Sequence, residues 1–167
     1  MNGGTKYIYL NSTMAVDTYS PFFTAEPTST VINVGDSQNT NGTGDAMIMY
    51  CFAPVAGYSS FGSYTGNGST DGPFVFCGFR PRYLLIKCSS AADNWAVQDT
   101  ARDTYNVHTK QLGANLSNSE YDGSLVNLDV LSNGFKLRNT SGTYNSSGAT
   151  YIYFAVAEHP FQTARAR

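Results

Sequence analysis

Glutamate and lysine are nearly missing from this 167-residue chain, which holds three Glu and four Lys. Both are good helix formers, so their scarcity argues against a helical protein. Charge of either sign is sparse: ten Lys+Arg oppose twelve Asp+Glu, a formal net charge of -2 with a pI near 5.5. No basic excess exists to neutralise a nucleic-acid backbone or an anionic membrane surface, and neither partner is expected. Long apolar runs are also lacking. No window approaches eighteen consecutive apolar residues, and Met1-Asn2-Gly3-Gly4-Thr5-Lys6-Tyr7 is not a charged leader followed by an apolar stretch. Neither membrane insertion nor a signal peptide is therefore expected. The three cysteines, Cys51, Cys77 and Cys88, match no zinc spacing, and their odd number argues against a disulfide framework. They read as buried free thiols. His108 and His159 have no neighbouring His or Cys at ligand spacing, so no metal and no cofactor is expected, and both histidines read as structural.

What replaces charge is uncharged polarity: Asn, Ser and Thr together make 48 of the 167 residues, beside 16 Gly. Twelve Tyr and ten Phe suit strands, while Gly, Asn and Ser suit turns. The fold class this predicts is all-β, an antiparallel sandwich of short strands with little or no helix. Six Asn-x-Ser/Thr triplets begin at Asn11, Asn41, Asn67, Asn115, Asn139 and Asn145. Without a secretory leader they are what this composition produces by chance.

Alternation and short apolar runs predict strands at Tyr7–Leu10, Val31–Val34, Phe74–Cys77, Tyr83–Lys87, Asn94–Asp99, Leu125–Leu131 and Gly134–Arg138. Two further runs, Ala46–Ala53 and Thr150–Val156, are apolar on both faces, the pattern of central strands covered on both sides. Both should be central, with Ile48 and Ile152 almost fully buried. Thr104–Leu112 is the one weak helical candidate. The glycine-dense stretch Gly62–Gly72 lacks the Lys and Ser/Thr of a nucleotide-binding loop and reads as a turn.

These two runs also belong to an internal repeat. Gly44–Ala53 lies over Gly148–Ala157 at a constant offset of 104, with glycine, apolar run and terminal alanine in register. Asn39–Thr43 resembles Thr143–Ser147, Ile32/Val34 sit where Phe135/Leu137 sit, and Leu10–Thr13 resembles Leu116–Ser119. The alternative is that any two glycine-bounded β segments look alike. On the repeat reading, residues 1–60 are a partial copy, the C-terminal half, packed with a complete sandwich unit at 61–161. Residues 162–167 would be a short flexible tail.

Phe61–Val75, Gly78-Phe79-Arg80-Pro81, Leu131–Arg138 and Tyr151-Ile152-Tyr153 with Ala157-Glu158 and Pro160-Phe161 carry a further reading. Together they resemble an uncharacterised repeat domain of structural and tail-fibre-like proteins of tailed bacteriophages, especially aquatic phages and their prophages. The resemblance covers residues 61–161 closely. It implies a concanavalin- or jelly-roll-like sandwich in a virion: a tail-fibre, receptor-binding or decoration protein. Other virion proteins and host-surface glycan are the implied partners, and a homo-oligomer, a trimer by analogy with fibres, the implied assembly. It carries no catalytic residues.

No pair of carboxylates stands out for glycoside hydrolysis among three Glu and nine Asp. The protein is therefore expected to be non-enzymatic. The best binding cluster is Trp95, Asp99, Arg102 and Tyr105, because an aromatic face stacks on a pyranose while carboxylates accept sugar hydroxyls. Against this, and in preference to it, Trp95 reads as a core residue on a strand and Asp99 as the ion-pair partner of Arg102. Loop aromatics Tyr19, Phe22, Phe23, Tyr58, Tyr105, Tyr121 and Tyr144 could meet glycan or protein. The alternatives in function are a stand-alone carbohydrate-binding module and a polysaccharide depolymerase.

Overall fold

A computed structural model describes residues 6–160 and divides the chain into two compact units. One comprises Val16–Phe52 with the residues up to Tyr9; the other comprises Leu10–Ala15 with the chain from Ala53 onward. The expected tail at 162–167 lies outside the described residues.

The larger unit is an antiparallel β-sandwich. Its first sheet has the strand order β3-β11-β5-β6-β7-β8, from Ser59–Thr65 (β3), Pro81–Cys88 (β5), Trp95–Asp99 (β6), Lys110–Gly113 (β7), Tyr121–Asp122 (β8) and Thr150–Ala157 (β11). The second has the order β4-β10-β9, from Phe74–Phe76 (β4), Leu128–Leu131 (β9) and Gly134–Leu137 (β10). Period-two patterning explains the packing. Leu84, Ile86 and Cys88 of β5, with Tyr151, Tyr153, Ala155 and Ala157 of β11, face Val75, Leu128, Val130, Phe135 and Leu137 of the other sheet. On the opposite face Phe154 stacks on Phe61, with ring centroids 4.5 Å apart. Ser132-Asn133 turns the β9–β10 hairpin, and Gly134 follows it because a Cβ there would lie 2.0 Å from the Val75 carbonyl oxygen.

The smaller unit pairs Lys6–Tyr7 (β1) with Asp17–Thr18 (β2) and has a four-residue helix, Gln38–Asn41 (α1), capped by the Ser37 side chain. A second such helix in the larger unit, Gly142–Asn145 (α2), is capped by Ser141. The small helical content matches the sequence expectation.

Several local expectations are corrected. Ala46–Ala53 is neither a strand nor buried: Ile48 is 82% exposed, and Tyr50 and Phe52 are exposed with it. A doubly apolar run becomes a central strand only if strands flank it, and among the described residues none pairs with this one. Its counterpart β11 is central, between β3 and β5, yet Ile152 is only half-buried because it faces away from the second sheet. Cys77 and Cys88 are buried, but Cys51 is exposed with the run that carries it. Val31–Val34 keeps a single bridge, Phe23 to Val34, in place of a strand. Thr104–Leu112 is not helical; its end enters β7. The first half of Leu125–Leu131 is a 3₁₀ turn, Ser124–Val126.

Candidate functional site

The sequence-derived cluster does not assemble as a platform. Trp95 opens β6 with its backbone N–H donating to the Asn115 side chain at 2.9 Å, and it is only 7% exposed. Its indole face is therefore closed to a sugar. Asp99, at the other end of β6, accepts Arg102 Nε at 2.5 Å and the Ala101 and Arg102 backbone N–H groups at 3.0 and 2.9 Å. Burial pushes the Asp99 carboxyl up, but these donors and the guanidinium charge outweigh it and hold it below its ordinary value. Arg102 also pairs with Glu120, so its charge is spent within the protein. Tyr105 is 82% exposed in the following loop. Of the four residues, the structure joins Asp99 to Arg102.

Loop aromatics sort by burial. Phe22 and Tyr144 are buried, whereas Tyr19, Tyr58, Tyr105 and Tyr121 are exposed. Tyr144 is a structural hub: its hydroxyl donates to Gln111 Oε1 at 2.8 Å and accepts from Gln98 Nε2 at 3.1 Å. Burial pushes that phenol far above its usual range.

The smaller unit holds a cleft of about 610 Å³ that sequence reasoning missed. Tyr7, Tyr9 and Tyr19 line it beside Asp36, Gln38 and Asn39. The wall is built locally. Tyr7 and Tyr19 each meet the Phe22 ring edge-on at 4.7 Å, and Tyr7 also meets Tyr9 at 5.2 Å. The Phe22 carbonyl accepts the Gly35 N–H at 2.9 Å, and the Pro21 carbonyl accepts the Ser37 N–H at 3.2 Å. Gly35 has no alternative there, since a Cβ would sit 2.0 Å from the Pro21 oxygen. Tyr7 Oη donates to Asp17 Oδ2 at 3.3 Å, and desolvation together with that carboxylate pushes the phenol up. Tyr7 and Tyr9 read in sequence as strand residues; nothing in the alternation places them beside residues 36–39, which a chain reversal through Pro21 brings near.

The larger unit has a second cleft, about 390 Å³, lined by Gln111, Leu116, Glu120, Tyr121, Leu125 and Thr143 among others. Glu120 brings the Asp99–Arg102 pair to its edge. Among the described residues no group of three or more His, Cys, Asp or Glu is placed to hold a metal ion. No helix among them is long and apolar enough to cross a membrane.

Fold and clefts define an antiparallel β-sandwich protein with concavities lined by tyrosine and polar side chains. The profile of a domain of unknown function, DUF7483, matches residues 1–160, and the chain belongs to that family. No curated protein and no solved structure matches.

Proposed function

We propose that this protein is a non-enzymatic component of a bacteriophage particle, a tail-fibre, receptor-binding or decoration protein, that contacts host-surface glycan through the tyrosine cleft of its smaller unit. The observation that carries the glycan contact is the set of Tyr7, Tyr9 and Tyr19 beside Asp36, Gln38 and Asn39. Tyrosine offers apolar area with a polar edge, and amide and carboxylate oxygens accept sugar hydroxyls. The phage context rests on the resemblance of residues 61–161. Other virion proteins are its neighbours in this reading, and a homo-oligomer, a trimer as in fibres, its assembly. The two carboxylates held off their ordinary values, Asp71 and Asp99, both shift down toward cations, the reverse of what a general acid needs.

Titration of the full chain with host-surface polysaccharide, followed by calorimetry, tests the reading. Tyr19→Ala is expected to weaken binding by about tenfold or more, as loss of an aromatic contact does, while Tyr121→Ala leaves it unchanged. Binding lost only with Tyr121→Ala moves the contact to the larger unit. Reducing ends released from the polysaccharide would refute the non-enzymatic reading.

A further inference from the structure

The 104-residue offset holds in backbone geometry as well as in sequence. Ser37 and Ser141 cap four-residue helices with φ/ψ of -68/138 and -63/142, and each side chain accepts an N–H two residues on. Asn41 N–H donates to Ser37 O at 2.8 Å, and Asn145 N–H to Ser141 O at 2.7 Å. The next bonds, Asp45 to Gly42 and Ala149 to Ser146, are both 3.1 Å. Gly44 and Gly148 follow in the left-handed region, at φ 84 and 75. Such agreement over eight successive residues, cap to positive-φ glycine, goes beyond what shared strand composition produces.

The surroundings differ. Asn145 is fully buried, holding the Asn67 N–H and the Ser69 carbonyl of the glycine loop; Asn41 is exposed. Thr150–Ala157 lies between β3 and β5, whereas Ala46–Ala53 has no strand partner among the described residues and presents Met47, Ile48, Met49, Tyr50 and Phe52 to solvent. An exposed run apolar on both faces is a docking surface or an aggregation liability. The counterpart shows what fits: a β3-like strand with its glycine loop over the asparagine, and a β5-like strand on the other side.

We infer that residues 37–53 are a back half-sandwich whose occupant is the front half of a second sandwich unit, equivalent to residues 57–115 of this chain, which takes Ala46–Ala53 as its central strand. Alternation then turns Met47, Met49 and Cys51 toward the added core, where Tyr151, Tyr153 and Ala155 stand in β11.

The test adds residues 57–115 of this sequence, β3 to β7, ahead of Met1 of the full chain, and reads Cys51 by maleimide labelling. The added segment carries Cys77→Ala and Cys88→Ala, so that the chain's own Cys77 and Cys88, which are buried, serve as internal references. In the fusion the Cys51 rate is expected to fall by about a hundredfold relative to the unextended chain, because reaction then waits on local opening. Met47→Asp, opposite the buried Tyr151 in the alignment, should restore the rate in the fusion. An unchanged rate in the fusion overturns the inference, as does protection that survives Met47→Asp. Protection already present in the unextended chain also overturns it: a dimer on light scattering would assign the run to a second copy, a monomer to the chain itself.

Discussion

Asn145 is the side chain on which the glycine loop depends, and its removal should be among the most costly polar substitutions in the larger unit. Its Nδ2 lies 2.7 Å from the Asn139 carbonyl, 2.8 Å from the Ser69 carbonyl and 3.2 Å from Asn67 Oδ1, while its Oδ1 accepts the Asn67 N–H at 2.8 Å. Two protons and one acceptor are thus used within a fully buried group. Asn145→Ala removes three good hydrogen bonds and strands their partners, which at about 1 kcal/mol each plus partial desolvation costs comes to about 3–5 kcal/mol. Asn145→Asp keeps the shape and the Asn67 bond but turns a carboxylate oxygen toward two carbonyls. It should cost at least as much at neutral pH. That carboxyl's folded pKa lies above its unfolded one, so the deficit relative to wild type should shrink as pH falls through the folded value. Urea unfolding followed by the single tryptophan, with hydrogen exchange at the Asn67 and Gly68 amides, measures both. A cost below about 1 kcal/mol for Asn145→Ala, or an Asn145→Asp deficit flat with pH, would refute the reasoning.

His108 is fully buried with neither ring nitrogen hydrogen-bonded, and burial lowers its pKa from 6.5, against Asp103, Asp129 and Asp99 that raise it and Arg80 that lowers it. The unfolded chain therefore binds the proton more readily, and stability should decline as pH falls below 6.5, by up to about 1.4 kcal/mol per pH unit. His108→Leu should abolish that slope in denaturation series without loss of stability at neutral pH. Lys87, buried on β5, donates to the Cys88 and Thr13 carbonyls at 2.6 and 3.3 Å. Lys87→Met keeps the stem and should cost about 1–2 kcal/mol, with faster exchange at the Asp93 amide that also donates to Thr13. Gly35→Ala drives a methyl into the Pro21 carbonyl and should cost about 1–3 kcal/mol, read as earlier thermal loss of the aromatic near-UV signal.

Fold class and most strands of the larger unit follow from composition and local pattern. Scarce Glu and Lys, abundant Tyr, Phe and Thr, and period-two runs such as Tyr83–Lys87 and Gly134–Arg138 are local properties that each strand carries with it. The likeness of Gly44–Ala53 to Gly148–Ala157 was legible for the same reason: a glycine with positive φ acts within a few residues. Which of the two runs is buried was not. Ala46–Ala53 and Thr150–Ala157 share a pattern, yet only the second has β3 and β5 beside it, and a strand's burial belongs to its neighbours. The candidate site divides in the same way. Asp99 and Arg102, three residues apart, were legible as an ion pair, while Trp95 could be a platform or a buried residue until neighbouring chain closed over it. The tyrosine cleft was invisible, because Tyr7, Tyr19 and Gln38 meet only after the chain has reversed at Pro21 and locked through Gly35. Only tertiary structure decides contacts between residues distant in sequence, since no local preference encodes which surfaces will meet.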